Sequence, residues 1–440
     1  MHAQRRLAFP RRSSSSTTRI SVRLQLAGTA LASGHFTMKL MIVVGARPNF
    51  MKAAPILRAI RINQQAADAI TPLLVHTGQH YDVTLSETFF KDLNLPEPDV
   101  HLGVGSGSHA IQTAEIMRKF ESVVEAEGPD IVVVVGDVNS TLACALVIAK
   151  ASFDSRGARP LLAHVEAGLR SFDRTMPEEC NRVLTDHLSD LLFVTERSGM
   201  QNLENEGIPP DRIFFVGNTM IDSLRACEKQ AEQSPILQRL GLKVANNRPV
   251  GKGYVLLTLH RPANVDHRET FVEILEGLKE VGEKIIFPAH PRTQKKIQEH
   301  HLESYVERDG RSPDGHRAAA IKMIDPLGYI DFVYLMKHAS LVITDSGGIQ
   351  EETTCLGVPC VTVRDTTERP ITVSIGTNAL AGTHRDGICQ AIRKQRGQRA
   401  KASIPIPELW DGKAAERIVE ILLRHAQPRD RVAYTVSATF

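Results

Sequence analysis

Leu341-Val342-Ile343-Thr344-Asp345-Ser346-Gly347-Gly348-Ile349-Gln350-Glu351-Glu352 joins a short apolar run to a helix-like segment, Gln350–Leu356, through a polar turn holding two glycines. The apolar run is too short for a helix and matches a strand buried on both faces, as in a parallel sheet. The glycines remove side chains where strand turns into helix. Backbone N–H groups are thereby open to phosphate oxygens, and the helix dipole adds to that attraction. Glu352, one turn into the helix, is placed to accept hydrogen bonds from a ribose. A tight turn with a capping box accounts for the same residues equally well from this segment alone.

The same alternation extends in both directions. Leu40–Val44, Leu73–His76, Ile131–Val135, Leu161–Val165 and Leu191–Val194 predict buried parallel strands, followed by Tyr254–Leu259, Lys284–Ala289, Leu341–Thr344 and Cys360–Val363. Between them, Lys52–Ile60, Ile111–Glu125, Arg182–Ser189, Glu269–Val281 and Gln350–Leu356 predict helices. Alternating β and α at this spacing predicts an α/β protein with doubly wound sheets. Two sets of strands predict two Rossmann-like domains, residues 38–216 and 217–395, with 396–440 as a helical segment and tail. Leu240–Gly253 and Arg308–Gly315 carry turn signals and predict loops.

Of 440 residues, 53 are Lys or Arg and 50 are Asp or Glu, a formal charge of +3. Six of the arginines fall within residues 1–37, which hold no acid, so residues 38–440 carry 47 basic against 50 acidic side chains. A body with net charge −3 is no basic nucleic-acid-binding domain. The leader, 1–37, is Arg/Ser-rich, as organelle transit peptides are; a disordered over-long start ahead of Met38 is the plainer alternative. No run of 18 apolar residues occurs, so no membrane partner is expected. Six scattered cysteines without a CxxC pattern predict reduced, buried thiols in a cytoplasmic protein.

Polar residues follow the predicted strands at corresponding places. Gly45-Ala46-Arg47-Pro48, Gly136-Asp137 and Glu166-Ala167-Gly168 do so in the first half; His260-Arg261, His290-Pro291 and Asp345-Ser346-Gly347-Gly348 do so in the second. Ligands of open α/β sheets bind beyond the carboxyl ends of the strands, so a site is expected in the cleft between the domains. Helix capping explains Asp345 or Ser346 but not His260, His290 and Glu166. There is no GxxxxGK, and Gly103-Val104-Gly105-Ser106-Gly107 follows no proper strand, so it is a weak dinucleotide cue and predicts a mobile loop. Without HExxH or Asp-x-Asp, no metal is expected.

These segments together resemble the non-hydrolysing UDP-N-acetylglucosamine 2-epimerases, a family with the GT-B fold. The resemblance runs in order through Gly45–Pro48, His76-Thr77-Gly78-Gln79-His80, Gly136–Thr141 and His164–Ser171. It continues through Pro177–Arg182, Thr258–Arg261, Ser346–Glu352 and Thr367-Glu368-Arg369-Pro370, covering 38–383. It implies reversible C2 epimerisation of UDP-N-acetylglucosamine by elimination and re-addition of UDP, without a cofactor, in a homodimer. Ile111–Glu125 offers an apolar stripe for such pairing, and burial within the subunit serves that stripe equally well.

Residue by residue, the resemblance implies that Asp137, Glu166 and Glu178 are catalytic carboxylates, with Arg182 and His260 as further functional polar groups. It implies that Arg47 and Lys52 lie near the phosphates, and that Ser346, Gly347 and Gly348 form the phosphate turn. Glu352 would meet the ribose, Arg369 the nucleotide, and Phe332 the uracil. Some bacterial members bind a second nucleotide sugar as activator. Gln79, His80, Arg261 and His290 match that region, whereas Asp82 and Ile111 stand where those enzymes carry a polar amide and a basic residue. Asn49, Pro262-Ala263 and Ile371 also depart from common family motifs, toward a subgroup that includes epimerases of UDP-2,3-diacetamido-glucuronic acid. A GT-B glycosyltransferase is the remaining alternative. It would need an acceptor pocket and has no use for carboxylates on both faces of C2.

Overall fold

The structure, a computed structural model, describes residues 37–79, 89–151, 159–242, 244–245, 248–249, 253–307, 321–398 and 405–425. His80 and Asp82, the Arg308–Gly315 loop, and all but the last residue of the leader lie outside the described residues.

Among the described residues the first sheet has seven strands: β1 (Met38–Val44), β2 (Ile70–His76), β3 (Val100–His101), β4 (Ile131–Val135), β5 (Leu161–Ala167), β6 (Leu191–Val194) and β7 (Ile213–Phe215). All neighbours are parallel, in the order β3-β2-β1-β4-β5-β6-β7. A short antiparallel pair, β8 (Val244–Ala245) and β9 (Arg248–Pro249), falls within the predicted Leu240–Gly253 loop. The second sheet is formed by β10 (Tyr254–Thr258), β11 (Lys284–Pro288), β12 (Val306–Glu307), β13 (Ile321–Ile324), β14 (Leu341–Thr344), β15 (Cys360–Thr362) and β16 (Asn378–Leu380). It too is parallel, in the order β12-β13-β11-β10-β14-β15-β16. This is the expected pair of Rossmann-like domains.

Strand alternation explains the layers. Leu40, Ile42 and Val44 enter one core cluster while Met41 and Val43 enter the cluster on the opposite face. The Val-rich β4 is buried along its whole length, as a central parallel strand requires. Each strand order reverses direction once, between β1 and β4 in the first sheet and between β10 and β14 in the second. A crevice opens at such switch points, and the predicted polar turns follow these four strands.

Several elements differ from expectation. β3, β7, β12, β13 and β16 are not among the expected strands; all but β13 are sheet-edge strands of two or three residues, too short to show a periodic pattern. The helix expected at Arg182 begins five residues earlier, as Pro177–Leu188, because Pro177 is favourable in a first turn and Glu178 and Glu179 complement the helix dipole. The predicted mobile loop at Gly103–Gly107 is tied down at 103–105: Val104 N donates to Thr77 O at 3.0 Å and Gly105 N to Gly78 O at 2.8 Å. The stripe on helix His109–Glu127 is used internally by Ile116, Phe120 and Val124, leaving Ile111 exposed. Five thiols are buried, but Cys180 is exposed.

The chain's last described helix, Ala414–Arg424, returns to the first sheet, where Ala415, Ile418, Val419 and Leu422 join its core. Asp222 accepts from Ala414 N and Ala415 N at 3.2 and 2.7 Å and so caps this helix. No helix among the described residues is long and apolar enough to cross a membrane.

Candidate active site

The turn after β1 is set by Asn49. Its Oδ1 accepts from Gly45 N and Ala46 N at 2.9 and 3.0 Å, and its Nδ2 donates to Val135 O at 2.8 Å, binding this turn to the end of β4. The helix Arg47–Ile62 then carries Lys52 beneath the crevice. Gly136, at φ +68°, lets the ammonium approach: a Cβ there would lie 2.7 Å from Lys52 Nζ.

Asp137 and Glu166 leave neighbouring strands and meet cations. Arg182 Nε donates to Asp137 Oδ2 at 3.1 Å, while Lys52 Nζ lies 2.5 Å from Glu166 Oε2. Burial alone would raise Asp137, but Arg182, Lys52 and Arg369 outweigh it and hold the carboxyl below its ordinary range. Glu166 sits at φ +75°, where β5 slips register between Val165 and Ala167. Such strain in a non-glycine residue marks a position whose side-chain direction is enforced by its surroundings. Glu178 is half-buried in the first turn of Pro177–Leu188; its carboxylate has no hydrogen-bonding partner among the described residues. Its neighbour Glu179 is structural, accepting from Ser171 N, Phe172 N, Ser171 Oγ and Arg182.

The second domain answers with arginines. Arg369 Nη2 donates to Glu166 Oε1 at 2.9 Å across the domains, its Nη1 to Glu368 Oε1 at 2.5 Å, and its Nε lies 2.9 Å from Glu351 Oε1. Glu368 is also 2.7 Å from Arg364, 3.6 Å from Arg261 and 4.0 Å from Arg182. Burial would raise Glu368, yet these four guanidinium groups hold it well below the carboxylate range. Glu351 differs: burial pushes it up to about 7 against the pull of Arg369.

The 344–352 turn has the geometry its glycines suggest. Ser346 precedes helix Gly347–Leu356 without capping it through its side chain, so first-turn N–H groups remain available. Arg369 Nη1 lies only 2.4 Å from where a Cβ on Gly347 would stand. Glu352 is buried and pushed up to about 7, and its Oε1 accepts from Tyr329 Oη at 2.7 Å. Phe332, half-buried on the Tyr329–Lys337 helix, packs against the same core cluster. Arg47 lies over the Phe89 ring, 5.3 Å from its centroid. Asp345 does not cap its own helix. It accepts from His260 N, Arg261 N and Asn264 Nδ2, and pairs with His260 Nδ1 at 2.9 Å. These donors overcome burial and bring Asp345 down to about 2, leaving the exposed His260 ring oriented by its Nδ1 contact.

Of the residues matched to an activator region, the three described ones, Gln79, Arg261 and His290, do not form one cluster of open side chains. Gln79 is buried, its Oε1 accepting from Ser140 N and Oγ; His290 accepts from Arg292 N at the start of helix Pro291–Glu299; Arg261 faces Glu368. Sequence reasoning missed Glu351, Glu368, Arg364 and Tyr329. Two of these lay inside quoted motifs, but only folding reveals that arginines from separate segments converge on Glu368. No group of three or more His, Cys, Asp or Glu among the described residues could hold a metal ion.

Comparison with known proteins decides among the folds that share this architecture. A family model described as UDP-N-acetylglucosamine 2-epimerase matches residues 63–423. The chain belongs to the UDP-N-acetylglucosamine 2-epimerase family. It is 42% identical over 389 residues to a UDP-N-acetylglucosamine 2-epimerase of Methanocaldococcus jannaschii, covering 88% of this chain and 99% of that protein. It is 38% identical over 392 residues to the UDP-2,3-diacetamido-2,3-dideoxy-D-glucuronate 2-epimerase of Pseudomonas aeruginosa, covering 88% of this chain and 100% of that one. The crystal structure of the M. jannaschii epimerase in complex with UDP-GlcNAc and UDP superposes with a TM-score of 0.76 over 88% of this chain and 100% of that one. The epimerase family and the two-domain α/β fold thus agree with the order of motifs in the sequence.

Proposed function

We propose that this epimerase interconverts UDP-N-acetylglucosamine and UDP-N-acetylmannosamine by eliminating UDP to a 2-acetamidoglucal and adding it back with the opposite C2 configuration. The single observation that carries this reading is that the Glu166 carboxylate meets the Arg369 guanidinium across the domains, beside the Gly347 turn, while Asp137 lies against Arg182.

The substrate's C2 hydrogen is beside an amide nitrogen and is barely acidic. As the C1–O bond lengthens, positive character at C1 makes that hydrogen removable. A carboxylate takes the proton while the electron pair of C1–O leaves with the β-phosphate. Re-addition returns the phosphate oxygen to C1 as a proton is delivered to the other C2 face. Arg369, Lys52 and the N–H groups after Ser346 stabilise the departing diphosphate. In the structure Glu166 occupies both cations, so the incoming phosphate competes for Lys52 and Arg369 and releases Glu166 toward the sugar. Glu352 binds the ribose, oriented by Tyr329, and Phe332 lines the uracil pocket.

Incubation with UDP-GlcNAc in D2O without an acceptor, followed by NMR, tests this. The expected product is UDP-ManNAc carrying deuterium at C2. Absence of both ManNAc and exchange refutes the proposal for this substrate. Turnover confined to UDP-2,3-diacetamido-glucuronate reassigns the sugar, and transfer that requires an acceptor makes the protein a glycosyltransferase.

A further inference from the structure

Behind the two acid-bearing turns lies a buried charged cluster. His164 and Asp186 are both fully buried, with His164 Nδ1 2.6 Å from Asp186 Oδ1 and His164 Nε2 2.8 Å from Gly136 O. A carbonyl oxygen can only accept, so Nε2 carries hydrogen. Asp186 Oδ2 accepts from Gly168 N at 3.0 Å and pairs with Arg170 Nη1 at 2.7 Å. Arg170 is in turn held by Glu206, through contacts of 2.8 and 2.7 Å. Burial would raise Asp186, but His164 and Arg170 outweigh it and hold it below its ordinary range. The ring thus bridges Asp186 at Nδ1 and Gly136 O at Nε2, tying the turn after one strand to the turn after its neighbour.

We propose that His164 and Asp186, braced by Arg170, are positioning residues that fix the spacing between Asp137 and Glu166. The proposal rests on the C2-epimerase reading, which gives those two carboxylates their roles. Gly136 immediately precedes Asp137, so the bond from His164 orients the peptide on which Asp137 is mounted. Asn181 Nδ2 holds the following carbonyl, Asp137 O, at 2.8 Å. Gly168 closes the turn after Glu166, whose φ of +75° would relax without an anchor. One buried carboxylate thus references both turns: directly through Gly168 N, and through the imidazole to Gly136 O. With no exposure at either side chain, water cannot substitute for a lost bond.

Two proton transfers on opposite faces of C2 are sensitive to the spacing of the groups that perform them. A loose pair moves those groups unequally, whereas mere loss of folded protein scales both steps alike. This distinction supplies the test.

Asp186→Asn and His164→Gln are compared with wild type for kcat, KM, UDP affinity and early C2 deuterium in recovered substrate relative to product. The glutamine keeps an N–H for Gly136 O, so His164→Gln retains more activity than His164→Phe. We expect kcat to fall about 100-fold in Asp186→Asn, as misplacement by about 1 Å can cause. KM and UDP affinity should stay within about threefold, and the deuterium ratio should shift by about threefold or more. An unchanged kcat overturns the proposal, as does a lower kcat with an unchanged ratio and a smaller folded fraction. Crystal structures of the folded variants give a readout independent of activity. The Asp137 carboxylate should move by more than about 0.5 Å relative to Glu166, and an unmoved pair overturns the proposal. If wild type shows no C2 exchange, the epimerase reading fails, while the crystallographic comparison still decides the positioning role.

Discussion

The two domains share a six-strand parallel core, β3-β2-β1-β4-β5-β6 in the first and β13-β11-β10-β14-β15-β16 in the second, and differ in the chemistry of the turns beyond it. In the first, Asp137 and Glu166 lie against Arg182, Lys52 and Arg369, and Asp137 is held below its ordinary range. In the second, Glu351 and Glu352 are buried and pushed up to about 7, and the glycines after Ser346 leave backbone donors exposed. The same strand–turn–helix unit thus yields either a platform for charged acids or a cradle for a charged ligand. The difference comes from the turn residues: a carboxylate beside a cation in one, and the absence of a Cβ in the other. It teaches that the strand order places a site while the turn chemistry decides its task.

The sharpest way to break this division is through rate. Glu166→Gln should lower kcat by about 10²- to 10⁴-fold, the range for a positioned proton-transfer group, with UDP still bound. Steady-state kinetics with UDP calorimetry checks it, and a loss confined to UDP affinity would move Glu166 into the binding half. On the other side, Gly347→Ala places a Cβ against Arg369 Nη1 and Glu368 Oε1. UDP affinity should fall about 10- to 100-fold, as expected when a buried charged contact is displaced; unchanged affinity would remove this turn from the phosphate site.

Smaller effects sharpen the contrast. Tyr329→Phe removes the hydroxyl that orients Glu352, so UDP affinity should fall about three- to tenfold, the scale of one hydrogen bond, with kcat nearly constant. The pH dependence separates two buried acids of the second domain by sign. A folded-state value near 7 for Glu352, above the ordinary 4.5, means that this group's burial costs stability increasingly as pH rises between those values. Glu352→Gln should therefore raise the thermal midpoint by a few degrees at pH 8 and leave it unchanged at pH 4. Asp345, brought down to about 2 from 3.8, behaves oppositely: its contribution is present above pH 3.8 and is lost as pH falls through 2.

Much of this contrast was visible in the sequence because long Val-, Ile- and Leu-rich strands mark where their turns begin. Asp137, Glu166, His260 and the 344–352 turn could be found by looking beyond those strands. The edge strands β3, β7, β12 and β16 could not, since two or three residues carry no period. Nor could the roles of neighbours such as Glu178 and Glu179, or Glu351 and Glu352. One step along a helix turns a side chain by about 100°, and only packing decides which carboxyl meets an arginine. The return of Ala414–Arg424 to the first domain was equally hidden, because its apolar stripe suits any open core.

Elimination and re-addition require that UDP leave and return within one cleft while the acids move the C2 proton. Positional isotope exchange tests it most directly, using UDP-GlcNAc with ¹⁸O in the C1–O–P bridge. During turnover, label recovered in UDP-GlcNAc and UDP-ManNAc should spread from the bridge to the non-bridging β-phosphate oxygens. Deuterium entering C2 while every label stays in the bridge would contradict it.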